Sequence, residues 1–240
     1  ADGFPWFLMV SFVGPHDPFD PPTAYADRFR EAAVQPAIPA GLPGHVCARN
    51  VRTTDPALIA RTRRQYCASI ASIDDAIGAI LDALARRGEA DDTMIIFTSD
   101  HGEMLGDHGL YTKSVPYEAS LRVPLIVAGP GVQPGRSDAL VCLHDLHPTV
   151  CGWAGARQGR GVDGLDLRPL LDGAADWPRE SQVASMRGWT CLRTDRHKLI
   201  DAGLAGRELY DLVADLEERI NLAGREPALV RDLTRRLDRT

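Results

Sequence analysis

Apolar positions along the chain fall into two rhythms. Phe7–Phe12 (FLMVSF) is an almost continuous apolar run that stops at Gly14-Pro15, and it reads as a strand buried on both faces, the kind found in parallel sheets. Thr93–Thr98 and Val123–Ala128 repeat the pattern, the latter closed by Gly129-Pro130-Gly131, and Leu140–Cys142 reads as a short further strand. Between the first two runs the period changes. Asp55-Pro56 supplies an N-cap and a first-turn proline, and Tyr66, Ile70, Ile73, Ile77, Ile80 and Leu84 follow at steps of four and three. Arg86 and Arg87 suit the negative end of that helix, and Gly88 stops it. A second helix is expected from Asp145 to Ala154. After Pro178 the elements shorten: Val183–Met186, Trp189–Arg193 and Lys198–Ile200 read as strands with tight turns, and Pro227–Leu237 as a closing helix. Strands alternating with helices predict an α/β fold, a mostly parallel sheet flanked by helices over residues 1–175. A small C-terminal antiparallel subdomain with one helix is expected over 176–240. Residues 14–50 are rich in Pro and Gly without periodicity, and long ordered loops of this kind are often functional.

Composition removes several alternatives. The chain has 240 residues, 44% hydrophobic and 25% charged, a globular mixture rather than a disordered or collagen-like one. No apolar run approaches the roughly 20 residues that span a bilayer, so no membrane partner is expected. A net charge of −6 argues against a nucleic-acid partner. The five cysteines, at 47, 67, 142, 151 and 191, form no C-x-x-C pair and read as buried free thiols. The first residues, ADGFPWFLMVSF, show no initiator Met, basic segment or cleavage pattern, so no signal peptide is visible, and a cytoplasmic and a periplasmic location both stay open.

In an open α/β sheet, ligands bind beyond the carboxyl ends of the strands. Gly14-Pro15-His16-Asp17-Pro18 follows the first run and Ser99-Asp100-His101-Gly102-Glu103 the second, so imidazole and carboxylate groups reach the same edge. Asp100 beside His101 can hold a divalent cation; carboxylates favour hard ions such as calcium or magnesium, imidazole favours zinc or manganese. Two ligands are too few for a catalytic metal site, so others must come from elsewhere. The competing reading makes Asp100 a turn cap and His101 a surface histidine. His16, stiffened by Pro15 and Pro18, suits hydrogen bonding to an anion or proton transfer to a leaving group. The Lys113 ammonium suits an oxyanion. Taken singly, His16 is more simply read as an ordinary loop residue and Lys113 as an ordinary solvated one.

The run Thr98-Ser99-Asp100-His101-Gly102-Glu103-Met104-Leu105-Gly106-Asp107-His108-Gly109 closely resembles the metal-loop signature of the sulfatase family, within the alkaline-phosphatase-like superfamily. The resemblance continues through Lys113 and Tyr117-Glu118-Ala119-Ser120-Leu121-Arg122-Val123-Pro124-Leu125. Upstream it includes Ser11–Phe19, with its P-H-x-P-F loop, and the long helix around Tyr66–Ile70, Asp74-Asp75 and Gly78. Downstream it includes Leu143–Thr149, Arg196–Ile200, Glu208–Leu212 and Glu218–Leu222. The matches occur in order and cover nearly the whole chain.

This resemblance implies an alkaline-phosphatase-like fold and a metal-dependent sulfatase that hydrolyses a sulfate ester of a small molecule or carbohydrate. It implies Asp100 and His101 as metal ligands, usually of Ca2+, with Mg2+, Mn2+ or Zn2+ as alternatives. It implies His16 and Lys113 as the residues that contact the sulfate and the bridging oxygen. Apart from the resemblance, His108, His144 and His147 lie near the later loops, and of these only His108 is expected to support the metal loop. The family's nucleophile, a formylglycine made from Cys or Ser in a C/S-x-P-x-R motif, has no counterpart here: Cys47-Ala48-Arg49-Asn50 and Cys191-Leu192-Arg193-Thr194 do not fit. The family's N-terminal aspartate pair is missing too. The chain is therefore expected to be the C-terminal part of a longer enzyme, inactive and poorly soluble alone. Two alternatives stand beside this reading. One is a phosphonate monoester hydrolase or phosphodiesterase of the same superfamily; the other is a non-catalytic fragment or interaction module. Oligomeric state is not legible.

Overall fold

Asp55 opens the long helix as its spacing predicts. In the computed structural model, which describes residues 5–48, 51–174 and 176–239, its carboxylate accepts from the Ala57 amide at 2.9 Å and Pro56 takes the first helical position. The chain forms two compact units, Ala1–Ala37 with Asp55–Ala90, and Ile38–Thr54 with Asp91–Thr240.

The first unit is a helix pair, α1 (Thr23–Phe29) and α2 (Pro56–Arg86). Tyr25 Oη donates to Asp75 Oδ2 at 2.7 Å, and Arg64 Nε donates to the Ala32 carbonyl at 2.8 Å, tying the loop after α1 to α2. The apolar stripe keeps its spacing, but Ile70 and Ile80 stay exposed. The strand expected at Phe7–Phe12 is not formed. Its residues are in irregular backbone, Phe7 is 76% and Met9 78% exposed, and no described strand pairs with it. A strand exists only through a partner's amides and carbonyls, so apolar character alone does not make one.

The second unit holds all the described strands. β1 (Ile95–Thr98) and β2 (Leu125–Ala128) pair antiparallel with Thr98 opposite Leu125, so the two expected runs are strands, but as an antiparallel rather than a parallel pair. Helix α3 (Glu118–Leu121) leads into β2, and α4 (Leu146–Trp153) and α5 (Arg168–Leu171) follow it. Leu140–Cys142 is not a strand. Its backbone groups are taken by side chains: Trp177 Nε1 and Arg179 Nη1 donate to the Leu140 carbonyl, Gln182 Nε2 to that of Val141, and the Cys142 amide donates to Asp145. Asp145, fully buried, is clamped by Arg179 at 2.5 and 2.6 Å.

Beyond Pro178 the chain makes an antiparallel meander, β3 (Ser181–Met186), β4 (Trp189–Thr194), β5 (His197–Asp201) and β6 (Arg207–Asp211), closed by helix α6 (Pro227–Leu237). The strand β6 was not among the expected elements. Alternation sorts this sheet into two apolar faces. Leu192, Leu199 and Leu209 pack under Val230 and Leu233 of α6. Cys191, Ile200 and Tyr210 pack instead with Met104, Leu110 and Tyr117. The same alternation puts Lys198 and Glu208 on this second face, where both are buried. None of the described helices is long and apolar enough to cross a membrane.

Candidate functional site

The segment 99–114 leaves the end of β1 and folds back on itself. Ser99 Oγ donates to the His101 carbonyl at 2.8 Å, and Asp100 Oδ1 accepts the His101 amide at 3.0 Å. His101 Nδ1 lies 2.8 Å from the Gly102 carbonyl. A carbonyl only accepts, so Nδ1 carries a proton, and in the neutral ring Nε2 presents its lone pair. That nitrogen lies 3.6 Å from Asp100 Oδ2. Two acceptors facing each other repel unless a proton or a cation stands between them, and a backbone carbonyl that fixes the tautomer of a ligating histidine is a recurrent arrangement at metal sites. The pair thus fits a divalent cation as two of its ligands. It does not complete a site, because no group of three His, Cys, Asp or Glu converges among the described residues.

Lys113 is half-buried and joined to this loop through its neighbour. The Met104 amide donates to the Thr112 carbonyl at 3.0 Å, and the Thr112 amide donates to the Glu103 carboxylate. Trp189 Nε1 holds the Ser114 carbonyl at 3.0 Å. Thr112 and Ser114 on either side of Lys113 have φ of 67° and 80°, and Leu105 and His108 have 47° and 54°. Left-handed backbone at non-glycine residues persists only where the surroundings impose it, and such residues concentrate at functional sites. The fifth such residue described is Glu218, at 54°.

His16 belongs to the first compact unit. Its Nδ1 lies 2.8 Å from the Asp17 carbonyl and 3.0 Å from Asp17 Oδ1, and its side chain is 41% exposed. The structure thus joins Asp100, His101 and the Lys113 segment in one loop system, and carries His16 on the other unit.

Beneath the loop lies a group of buried charges to which the sequence reading assigned no role. Lys198 Nζ donates to the Pro116 carbonyl at 2.8 Å and stands 2.6 Å from Glu118 Oε1 and 2.8 Å from Glu218 Oε1. Glu218 Oε2 accepts the Glu118 amide at 2.6 Å. Burial pushes the Glu218 carboxyl up to about 7, although Lys198 pulls the other way. Burial alone would lower the Lys198 ammonium, but Glu218 and Glu118 hold it above its ordinary value. Glu208 accepts from the Val46 and Cys47 amides and from the hydroxyls of Tyr117 and Tyr210. His108 stacks on Tyr117 at 4.6 Å, and burial, with His45 nearby, pushes its imidazole down to about 4. The one available signal was period-two alternation in His197-Lys198-Leu199-Ile200, which sets Lys198 on the face of Ile200. A cleft of about 430 Å³ opens beside this cluster, lined by His108, Tyr117, Glu118, Arg122 and Glu218 among others, and does not include Asp100, His101 or Lys113.

Comparison with known proteins identifies the family. The sulfatase family model matches residues 1–156, and the model for the C-terminal region of N-sulphoglucosamine sulphohydrolase matches residues 106–240. A choline-sulfatase of Rhizobium meliloti is 33% identical over 240 aligned residues, covering 91% of this chain and 46% of its own length. An N-acetylglucosamine-6-O-sulfatase of Bacteroides thetaiotaomicron is 33% identical, covering 70% of this chain and 32% of its own. Among solved structures, a phosphonate monoester hydrolase from Silicibacter pomeroyi superposes with a TM-score of 0.84 at 29% identity, covering 99% of this chain and 56% of that one. The chain therefore spans about a third to a half of the length of its relatives. With a matching fold and a family model covering most of its length, the chain belongs to the sulfatase family of the alkaline-phosphatase-like superfamily.

Proposed function

We propose that the protein carrying this chain is a metal-dependent sulfatase that hydrolyses a sulfate ester of a small molecule or carbohydrate. The observation that carries the reading is the facing pair of acceptors, Asp100 Oδ2 and His101 Nε2, in a loop tied through Glu103 and Met104 to the Lys113 segment. Asp100 and His101 hold the cation, for which we favour Ca2+ over Mg2+, Mn2+ or Zn2+. When bound, the cation supplies positive charge that polarises the sulfate oxygens. Lys113 neutralises charge that develops on those oxygens. His16, whose Nδ1 is engaged by Asp17, acts from Nε2 in its imidazolium form and gives that nitrogen's proton to the departing alcohol oxygen, leaving the neutral ring protonated on Nδ1. In this reading the nucleophile is a formylglycine outside these 240 residues, and the remaining metal ligands lie there too. The polypeptide 1–240 alone is expected to be inactive, with residues 1–175 as core and 176–240 as the C-terminal subdomain. The sulfatases of choline and N-acetylglucosamine among the relatives support the choice of ester. The TM-score of 0.84 to a phosphonate monoester hydrolase favours phosphonate or phosphate diesters as the second reading.

The test uses the full-length protein purified from its source, with aryl sulfate, glucosamine 6-sulfate, phenyl phosphonate monoester and bis-aryl phosphate as substrates. Greater kcat/KM on the sulfates, lost by orders of magnitude in Lys113→Ala without a change in the melting curve, is the expected result. Greater kcat/KM on the phosphorus esters moves the assignment to the second reading. Near-normal turnover in Lys113→Ala removes that residue from the mechanism.

A further inference from the structure

Three buried ionisable side chains sit where a loop that grips a metal ion would need support. Lys198 on β5 and Glu218 in the turn after β6 both reach Glu118, the first residue of helix α3. Lys198 is 1% exposed, Glu118 9% and Glu218 2%. Burying such charges is expensive and a hydrophobic trio of the same volume is often as stable, so their value lies in what their directional bonds hold in place. What they hold is the N-terminal end of a single-turn helix, too short to keep its own orientation. Tyr117, just before it, is held from the same sheet by Glu208.

Helix α3 in turn carries the metal loop. The Gly102 amide donates to the Ser120 carbonyl at 2.8 Å. A Cβ on Gly102 would stand 2.0 Å from the Ala119 carbonyl oxygen, so loop and helix are in backbone contact. Gly102 follows His101 directly and supplies the carbonyl that sets the His101 tautomer. A movement of α3 therefore shifts Gly102 and, with it, both the direction of Nε2 and its separation from Asp100.

We propose that Lys198 and Glu218 are positioning residues for the metal site: acting through Glu118 and helix α3, they set the placement of Gly102 and thereby the ligand geometry of Asp100 and His101. The inference rests on the metal-site reading above. It assigns to the C-terminal sheet a part in metal binding although none of its residues is a ligand.

The experiment measures the affinity of the full-length protein for Ca2+ alone by titration calorimetry, at a temperature well below the melting point of every variant. Asp100→Asn tests the site itself and is expected to weaken binding at least tenfold. Lys198→Met and Gly102→Ala are each expected to weaken it about 10- to 100-fold, the range for groups that orient metal ligands. Because both act along one path, the double variant is expected to bind no more weakly than the worse single one. Leu233→Ala, which loosens the opposite face of the same sheet, is the control for general destabilisation and is expected to stay within twofold of the parent. If Lys198→Met does not fold, Glu218→Gln, which keeps size and acceptor oxygen, is expected to weaken binding at least threefold. Loss in Asp100→Asn with Lys198→Met, or its substitute, within twofold of the parent overturns the positioning role and leaves the site intact. So does a double variant whose loss is the product of the two single losses, or a Leu233→Ala loss as large as that of Lys198→Met. Unchanged affinity in Asp100→Asn overturns the metal-site reading instead.

Discussion

The Gly102 amide donates to the Ser120 carbonyl across 2.8 Å, and that pairing leaves Gly102 no room for a side chain. A methyl there would meet backbone, which gives less readily than the end of a flexible side chain. Gly102→Ala is expected to destabilise the folded protein by about 1–3 kcal/mol, as overpacked sites do. Urea unfolding of the full-length protein checks this; an unchanged midpoint would show that loop and helix part easily.

Glu208 collects four donors in a fully buried position: the amides of Val46 at 2.6 Å and Cys47 at 2.7 Å, and the hydroxyls of Tyr117 at 3.1 Å and Tyr210 at 2.5 Å. Removing the carboxylate strands all of them. With about 1–3 kcal/mol for each buried unsatisfied group, Glu208→Ala is expected to lose at least about 3 kcal/mol. Glu208→Gln keeps an acceptor for the amides, and the hydroxyls can turn to accept from its NH2, so its loss is expected to be less than half as large. Equal losses in chemical denaturation would mean that the negative charge, not the bonding pattern, is what Glu208 contributes.

Acid stability reads out His108. Its imidazole is pushed down to about 4 in the folded protein, by burial first and His45 second, from an ordinary value of 6.5. Between those values the unfolded chain binds the extra proton and the folded one does not. The contribution is therefore complete above about pH 6.5 and is lost as pH falls toward 4, by about 3 kcal/mol in all. Glu218, raised to about 7, slopes the opposite way, its contribution fading as pH rises from about 4.5 to 7. Comparing the parent with His108→Gln cancels the Glu218 effect. The stability gap between the two is expected to narrow as pH drops from 7 to 4; parallel curves would rule out a neutral buried His108.

The proton donation proposed for His16 is tested by leaving-group dependence. An aliphatic alcohol leaves poorly as its anion, whereas nitrophenolate leaves well. His16→Ala is expected to slow an alkyl sulfate by about 10²–10⁴-fold and a nitrophenyl sulfate far less. Equal losses on both would place His16 in sulfate binding rather than in proton transfer.

Residues Trp6–Val10, with Phe12 and Val13, are all exposed apolar positions, a contiguous run of the kind that drives association. The polypeptide 1–240 expressed alone is expected to bind a hydrophobic dye strongly and to aggregate on concentration. A monodisperse monomer with a sharp two-state melt would contradict this.

Much of the local structure was legible along the chain. Helix α2 begins at Pro56 behind its Asp55 cap and carries the four–three stripe; α6 spans Pro227–Leu237 as expected; β1 and β2 fall within the two apolar runs. Asp100 and His101 were readable as a pair because adjacency at a strand end is itself a local feature. Phe7–Phe12 and Leu140–Cys142 misled for one shared reason. Apolar and β-branched content states a preference, but pairing needs another segment's amides and carbonyls. The first run has no strand partner among the described residues, and side chains of Trp177, Arg179, Gln182 and Asp145 take the backbone groups of the second.

By itself, then, the sequence determined the periodic elements, the family and the residues offered as ligands, because these depend on spacing within a few turns of chain. The tertiary structure decided that β1 and β2 pair antiparallel and that Lys198, Glu118 and Glu218 meet beneath the loop. Those outcomes depend on groups far apart in sequence that satisfy one another's charge and hydrogen bonds once water is excluded. No local pattern encodes which distant partner does so.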